Sequence, residues 1–280
     1  MFRYILFDSC QHPRFHQKLQ QRNILYGSLF EGHAEESLPE IAPLLIDVTV
    51  ESEATQKVID ETTRIGQLKP CVSVLESTLP LFLLTDHFAQ FHLIERPDGQ
   101  SMLMRWYDTR ILPVWLDALT AEQRMFFTRG IAQWTSIDRF GDEQRHPIAE
   151  SDIETAKRAS LPLQLDASQA ERLQTASEPD ALIYELRKTI AKQIDSIPHR
   201  VLYPFIHTHW QMARQHGLCD RHAQTLWLTL ALRTSGKFVE HPTVAERFAS
   251  PSSQPEQPFA DWFNTLPDDL WELGKPLWEQ

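Results

Sequence analysis

The stretch that most constrains this chain runs over residues 91–110. It opens with a short apolar run, Phe91-His92-Leu93-Ile94, that reads as a strand. Pro97-Asp98-Gly99 then reverses the chain, because Pro presets φ and Gly accepts the positive φ of a tight hairpin. Residues 101–106 form the return strand. Asp108 ends it and is placed to cap a helix carrying Ile111, Leu112, Trp115, Leu116 and Leu119. Arg105, Tyr107, Asp108 and Arg110 therefore crowd a corner where strand becomes helix. Such a stretch needs both a sheet to lean on and an apolar bed for the helix.

The remainder of the first half supplies more of the same. Residues 2–7, 24–30, 44–50 and 71–75 read as strands, and 131–137 as an edge strand. Between them, 13–19, 53–67, 80–88 and 121–130 read as helices, with single-turn character at 37–42. Strands alternating with helices, plus one antiparallel hairpin, predict a mixed sheet covered by helices. The stretch 141–162 is polar and carries Pro147 and Pro162, which marks a linker. No strand is expected beyond it. Ser168-Gln169-Ala170-Glu171 and Thr243-Val244-Ala245-Glu246 have the capping-box pattern, Pro179 suits a helix start, Asp220 suits a cap, and Gly217 and Gly236 suit helix ends. The expected class is α+β, an N-terminal mixed-sheet α/β lobe followed by a C-terminal helical bundle. The expected divisions are 1–145, 146–250 and a tail, 251–280, that opens with a Pro-rich flexible tract (251–258).

Composition narrows the function classes. The 280 residues are 42% hydrophobic and 23% charged, which is ordinary globular composition. A formal charge of −11 argues against a general nucleic-acid binder, which needs a concentrated positive face. Cys10, Cys71 and Cys219 lie far apart with no CxxC pair, so they suggest neither a disulfide framework nor a zinc knuckle, and are expected as small buried apolar residues. The opening residues are charged too early for a signal peptide, and no apolar run reaches the ~20 residues of a membrane span. A cytoplasmic protein is expected.

Candidate chemistry is sparse. His12 and His16 lie four apart, but no third ligand stands beside them, so they read as helix histidines rather than a metal pair. His207 and His209 point to opposite sides of a helix. The sequence has no GxSxG, no Walker loop and no GxGxxG. Asp8 with Asp47 or Asp108 would form strand-end carboxylates, although caps explain each equally well. No cofactor and no metal are expected. The corner has two readings: Asp108 caps and an Arg bonds it, or one of the two arginines, which exceed the needs of a single cap, faces a ligand. Trp262, Trp271 and Trp278 in the tail are likewise either intramolecular packing or an aromatic anchor for a partner.

Assembled in order, several segments carry a family resemblance. They are Tyr4-Ile5-Leu6-Phe7-Asp8, Ser28-Leu29-Phe30-Glu31-Gly32, Ala42-Pro43-Leu44-Leu45, Pro97-Asp98-Gly99 and Arg105-Trp106-Tyr107-Asp108-Thr109-Arg110-Ile111-Leu112. Over about the first 130 residues the chain resembles the effector adaptor (chaperone) family of the bacterial type VI secretion system, long catalogued as a domain of unknown function. The resemblance implies a non-enzymatic cytoplasmic adaptor that binds a secreted effector protein and helps load it onto a valine-glycine-repeat (VgrG) spike. No nucleic acid or membrane partner is implied, and the net charge suits a cargo with a basic face. On that reading the partner-contact candidates are Arg105, Tyr107, Asp108, Arg110, Phe30, Glu31, Trp262, Trp271 and Trp278. An immunity protein neutralising one toxin, or a small hydrolase using the strand-end carboxylates, remains the alternative.

Overall fold

The computed structural model describes residues 1–148, 161–249 and 257–280, and the chain divides into two compact units, 1–176 and 177–280. The first is built on a six-stranded sheet in the order β2-β3-β1-β4-β7-β8. Its strands are β1 (Phe2–Asp8), β2 (Tyr26–Ser28), β3 (Pro43–Asp47), β4 (Val72–Ser77), β7 (Ile131–Ile137) and β8 (Glu143–His146). All five neighbouring pairs are antiparallel. The central strand β1 pairs on both sides, Leu6 opposite Leu45 and opposite Ser73. A second, three-stranded sheet, β6-β5-β9, holds the hairpin. There β5 (Leu93–Glu95) pairs antiparallel with β6 (Ser101–Leu103) and parallel with β9 (Leu163–Gln164).

Helices cover both faces of the large sheet, which is why its central strands read as nearly unbroken apolar runs. One face carries Tyr4, Leu6, Leu45, Leu75 and Trp134, packed with residues of α3 (Leu81–Ala89), α4 (Leu112–Ala118) and α5 (Ala121–Phe127). The other carries Ile5, Phe7, Leu44, Ile46 and Val72, packed with α1 (Phe15–Gln21) and α2 (Glu53–Gly66). A capping box opens α2, with Ser52 and Thr55 each accepting the other's backbone N–H. The structure is thus α+β.

Several local expectations are corrected. The 131–137 strand is not an edge, since β7 pairs with both β4 and β8. β8 lies inside the stretch read as a linker. As an edge strand with mostly exposed residues it has no apolar alternation to betray it. Residues 149–160 of that stretch lie outside the described residues, as do 251–256 of the Pro-rich tract. β9 is the strand not expected beyond it. Two cysteines are exposed, Cys10 and Cys219, and only Cys71 is buried.

The helix α6 (Ala167–Ser196) starts two residues earlier than its Ser168 pattern suggests. Asp166 and Gln169 form the reciprocal pair, Gln169 N–H to Asp166 Oδ1 at 2.8 Å and Asp166 N–H to Gln169 Oε1 at 2.9 Å. Pro179 lies within α6 rather than opening a helix, and a non-helical residue, Ile190, kinks it further on.

The second unit collects the end of α6 with α7 (His199–Gln215), α8 (Arg221–Thr234) and α9 (Pro242–Phe248). Asp220 caps α8 as expected, accepting Ala223 N–H at 2.9 Å. At α9 the cap is His241, whose Nδ1 accepts Thr243 N–H, not Thr243 itself. Trp227 sits at the centre of this core, edge-on to Phe238 and Phe248.

One close approach fixes β2 beneath α3. A Cβ at Gly27 would lie 2.1 Å from Thr85 Oγ1, which itself donates to Leu81 O. Gly27→Ala is therefore expected to cost about 1–3 kcal/mol through overpacking. Urea denaturation of the two proteins reads this as a lower midpoint, and coincident curves would refute it.

Candidate functional site

The polar corner forms at the end of the sheet where β1 stops and β4 begins. Asp8 is the last residue of β1, and its N–H donates to Cys71 O at 2.9 Å. Its carboxylate has no exposed surface. Oδ1 accepts Cys10 N–H at 3.1 Å, and Oδ2 accepts Arg105 Nη2 at 2.7 Å. A buried carboxylate without such partners costs several kcal/mol, so Arg105 is required by Asp8 as much as attracted to it.

Asp108 forms the other half. It too is fully buried. Its Oδ1 accepts both the backbone N–H and Nε of Arg110 at 3.0 Å, and its Oδ2 accepts Arg110 Nη2 at 2.6 Å. This is a two-pronged guanidinium–carboxylate pair on top of an Asx turn. Arg105 Nη2 lies 3.8 Å from the same Oδ2, so the four side chains form one chain of charge. Asp108 does not cap α4 with its side chain. Its carbonyl instead accepts Ile111 and Leu112 N–H, and the cap residue Ile111 has no side-chain bond to offer. The return strand also ends earlier than expected, at Leu103, which lets Trp106 and Tyr107 turn inward. Trp106 then packs 4.8 Å from Phe88 and 5.0 Å from Phe127.

Electrostatics follow from this burial. Desolvation raises the Asp8 carboxyl above its ordinary value, against the opposing pull of Arg105. Desolvation disfavours the charge on Arg105, but Asp8 and Asp108 outweigh it and hold the guanidinium above its ordinary value. Burial and the nearby Asp8 carboxylate push the Tyr107 phenol up, and the same two causes push the Cys71 thiol up to about 12. Both carboxylates are spent on the arginines, whereas about a third of each guanidinium side chain faces solvent. The corner thus holds the Arg105 guanidinium on a buried carboxylate with part of it at the surface.

The other candidates lie elsewhere. Phe30 is buried in the α1/α2-side core, 4.9 Å from the His92 ring, and Glu31 is exposed beside it. The turn following them is fastened by His33 Nε2 to Ala89 O at 2.9 Å and His92 Nε2 to Glu35 Oε2 at 3.1 Å. The tail tryptophans belong to the second unit and pack on its core. Trp262 is buried beneath Arg247, whose guanidinium lies 4.7 Å from its ring. Trp271 stands edge-on to Phe263, and Trp278 packs beside Leu277 on the same core. The structure brings Arg105, Tyr107, Asp108 and Arg110 together with Asp8. It does not join them to Phe30. Among the described residues no three His, Cys, Asp or Glu side chains are placed to hold a metal ion, and no helix is long and apolar enough to cross a membrane. Sequence reasoning missed Lys69, whose Nζ donates to Gln11 O beside the corner, because nothing along the chain links positions 11 and 69.

Arg105→Met strands the Asp8 carboxylate and is expected to destabilise the fold by about 3–5 kcal/mol near neutral pH. A carboxyl whose folded pKa is raised contributes stability below its unfolded value and loses it as pH rises. Removing Arg105 raises Asp8 further, so the penalty should shrink between about pH 7.5 and about pH 4.5. Thermal melts at both values measure it. A penalty independent of pH would refute the assignment.

Residues 3–125 match the family model described as a domain of unknown function (DUF4123), a span that includes the whole corner. No curated protein matches the chain. No solved structure matches it either.

Proposed function

We propose that this protein is a cytoplasmic adaptor that binds a type VI secretion effector and helps load it onto the VgrG spike, without catalysing a reaction. The observation that carries the reading is the corner. It gathers the segment of strongest family resemblance, residues 105–112, and holds two arginines in place while leaving part of each facing solvent. Arginine is favoured at binding hot spots because its fork donates several directed hydrogen bonds. Fixing it in advance removes much of the ordering cost of association. Catalysis is poorly served by the same geometry, since the two carboxylates are buried and already occupied. An adaptor also needs contact surfaces that bind and then release, which suits a polar, solvated corner better than a large apolar face.

The test is affinity purification of the tagged protein from the bacterium that encodes it, with the co-purified chains identified. A spike protein together with one toxin-like chain is the expected result. The toxin alone, with its activity blocked, would replace this reading with an immunity protein. Neither partner, recovered from a folded chain, would overturn it.

A further inference from the structure

The large sheet has two free edges, and they are built differently. At β8 the exposed residues include Glu143 and Arg145, charges that discourage another strand from pairing. At the other edge, β2 carries no charged residue and no proline. Its register sets Gly27 opposite Leu45, with Asp47 N–H donating to Leu25 O at 2.9 Å and Leu29 N–H donating to Pro43 O at 3.0 Å. Backbone groups alternate sides along a strand, so those of residues 25, 27 and 29 face β3 and those of Tyr26 and Ser28 face outward. Glu31 N–H takes the Ser28 carbonyl at 3.3 Å. Left facing outward are the N–H and C=O of Tyr26 and the N–H of Ser28. They offer one complete antiparallel pair and a further donor.

Helix α3 overhangs this edge. A Cβ at Gly27 would collide with Thr85, so Thr85 stands directly over β2. At the helical period, Phe82 and Asp86 lie about 60° and 100° to one side of Thr85, while the buried Leu84 and Phe88 lie to the other. The buried side points back over the sheet, so Phe82 and Asp86 project beyond its edge. Both are exposed, Phe82 at 65%. α3 ends beside the turn after β2, where the His33 Nε2 bond to Ala89 O is made, so its start lies toward Leu25. Leu25 is 70% exposed and shares the face of Gly27. Leu25 and Phe82 thus stand at one end of a groove floored by the outward edge of β2 and walled by α3.

The groove is acidic. Asp47 lies opposite Leu25, Asp86 projects from α3, and the exposed Glu31 follows β2. Among the described residues none of these three lies within ion-pair distance of a cation. Lys18 and Arg22, which precede β2, are both held by Glu61. Arg3 points to the opposite face of the sheet, the face of Ile5 and Phe7.

We infer that the edge of β2 beneath α3 is a docking surface for an extended segment of a partner protein, carrying an apolar and a basic residue two positions apart. The segment adds an antiparallel strand to the sheet through the Tyr26 and Ser28 backbone groups. Its apolar side chain, opposite Leu25, fills the space up to Phe82, and its lysine or arginine meets Asp86. The spacing agrees. Phe82 and Asp86 are four helical residues apart, a rise of about 6 Å, against roughly 6.8 Å for two residues of a strand. The inference goes beyond the adaptor reading and does not depend on it, since the corner lies at the end of β1, two strands away.

The probe is a fluorescein-labelled peptide of the repeat Val-Thr-Lys-Thr, which puts valine and lysine on one face, titrated into the full chain by anisotropy. It should bind saturably and more weakly as salt rises. With glutamate in place of lysine it should bind at least about tenfold more weakly. The threonine N–H groups are the ones that meet Tyr26, so N-methylation of the threonines should abolish binding, and N-methylation of the valines and lysines should leave it. Leu25→Ser with Phe82→Ser alters only exposed side chains, and should weaken binding about tenfold without moving the thermal midpoint. Asp86→Asn should narrow the preference over the glutamate peptide. No saturable binding, equal binding of the glutamate peptide, or indifference to threonine methylation or to the double serine variant would overturn the surface. A chain that sediments as a dimer, and as a monomer once Leu25 and Phe82 are replaced by serine, would assign the edge to a second copy instead and overturn it too. Co-purification of effector and spike tests the adaptor reading alone and is unaffected by any of these results.

Discussion

A carboxylate with no exposed surface ends the central strand of this protein, and its counter-ion comes from 97 residues further along the chain. The cost of burying Asp8 is met only if Arg105 arrives at 2.7 Å, so the hairpin that delivers Arg105 has little freedom in where it lies. The rest of the corner follows. Once Arg105 is placed, Trp106 fills the space between Phe88, Phe127 and Trp134, and Asp108 is carried into reach of both arginines. One ion pair thus couples the middle of the large sheet to the segment that leads into α4. Its energetic signature is conditional. The pair adds modest stability while whole, but losing one partner leaves an uncompensated charge in the core.

The central strands were legible because both faces of the sheet are covered, which forces β1 and β3 to be apolar at almost every position. The same logic hides β8 and β9. β8 is an edge with one buried residue in four, and β9 has two residues whose pairing with β5 depends on the chain returning from far away. Helix starts show a related limit. Both Asp166-to-Gln169 and Ser168-to-Glu171 satisfy the local capping pattern. What selects the former is tertiary: Gln169 Nε2 also donates to Ala118 O and Gln123 Oε1, bonds that the later start would forfeit. Periodicity describes one element at a time and holds no record of such neighbours.

The candidate site was readable to a similar depth. The crowding of Arg105, Tyr107, Asp108 and Arg110 can be seen directly in the sequence, and so can the excess of arginine over what a cap needs. The role of Asp8 as the second carboxylate cannot, because a strand-end Asp looks like an ordinary cap until its burial is known. Asp108 shows the reverse. It has the sequence of a helix cap but spends its carboxylate on Arg110, leaving only its carbonyl to the helix. The tail was legible as aromatic cargo for some groove, yet the groove is assembled from α8 and α9. The cation that roofs Trp262, Arg247, is fixed there by donating to Gln257 O.

Net charge is the feature most easily misread. A chain at −11 presents itself as an acidic surface everywhere, yet charge acts over about a Debye length, roughly 8 Å at physiological salt. Within that distance a partner senses local arrangement rather than the sum. At the corner the acids are inside and the bases outside, because a carboxylate is compact enough to be enclosed by hydrogen bonds while a guanidinium or ammonium on a long stem reaches past the enclosure to water. Burying Asp8 and Asp108 therefore sorts charge by depth, and any surface built over buried acids will tend to show its cations. The constraint that fixes the fold at this corner and the partial exposure of its two guanidinium groups have the same origin.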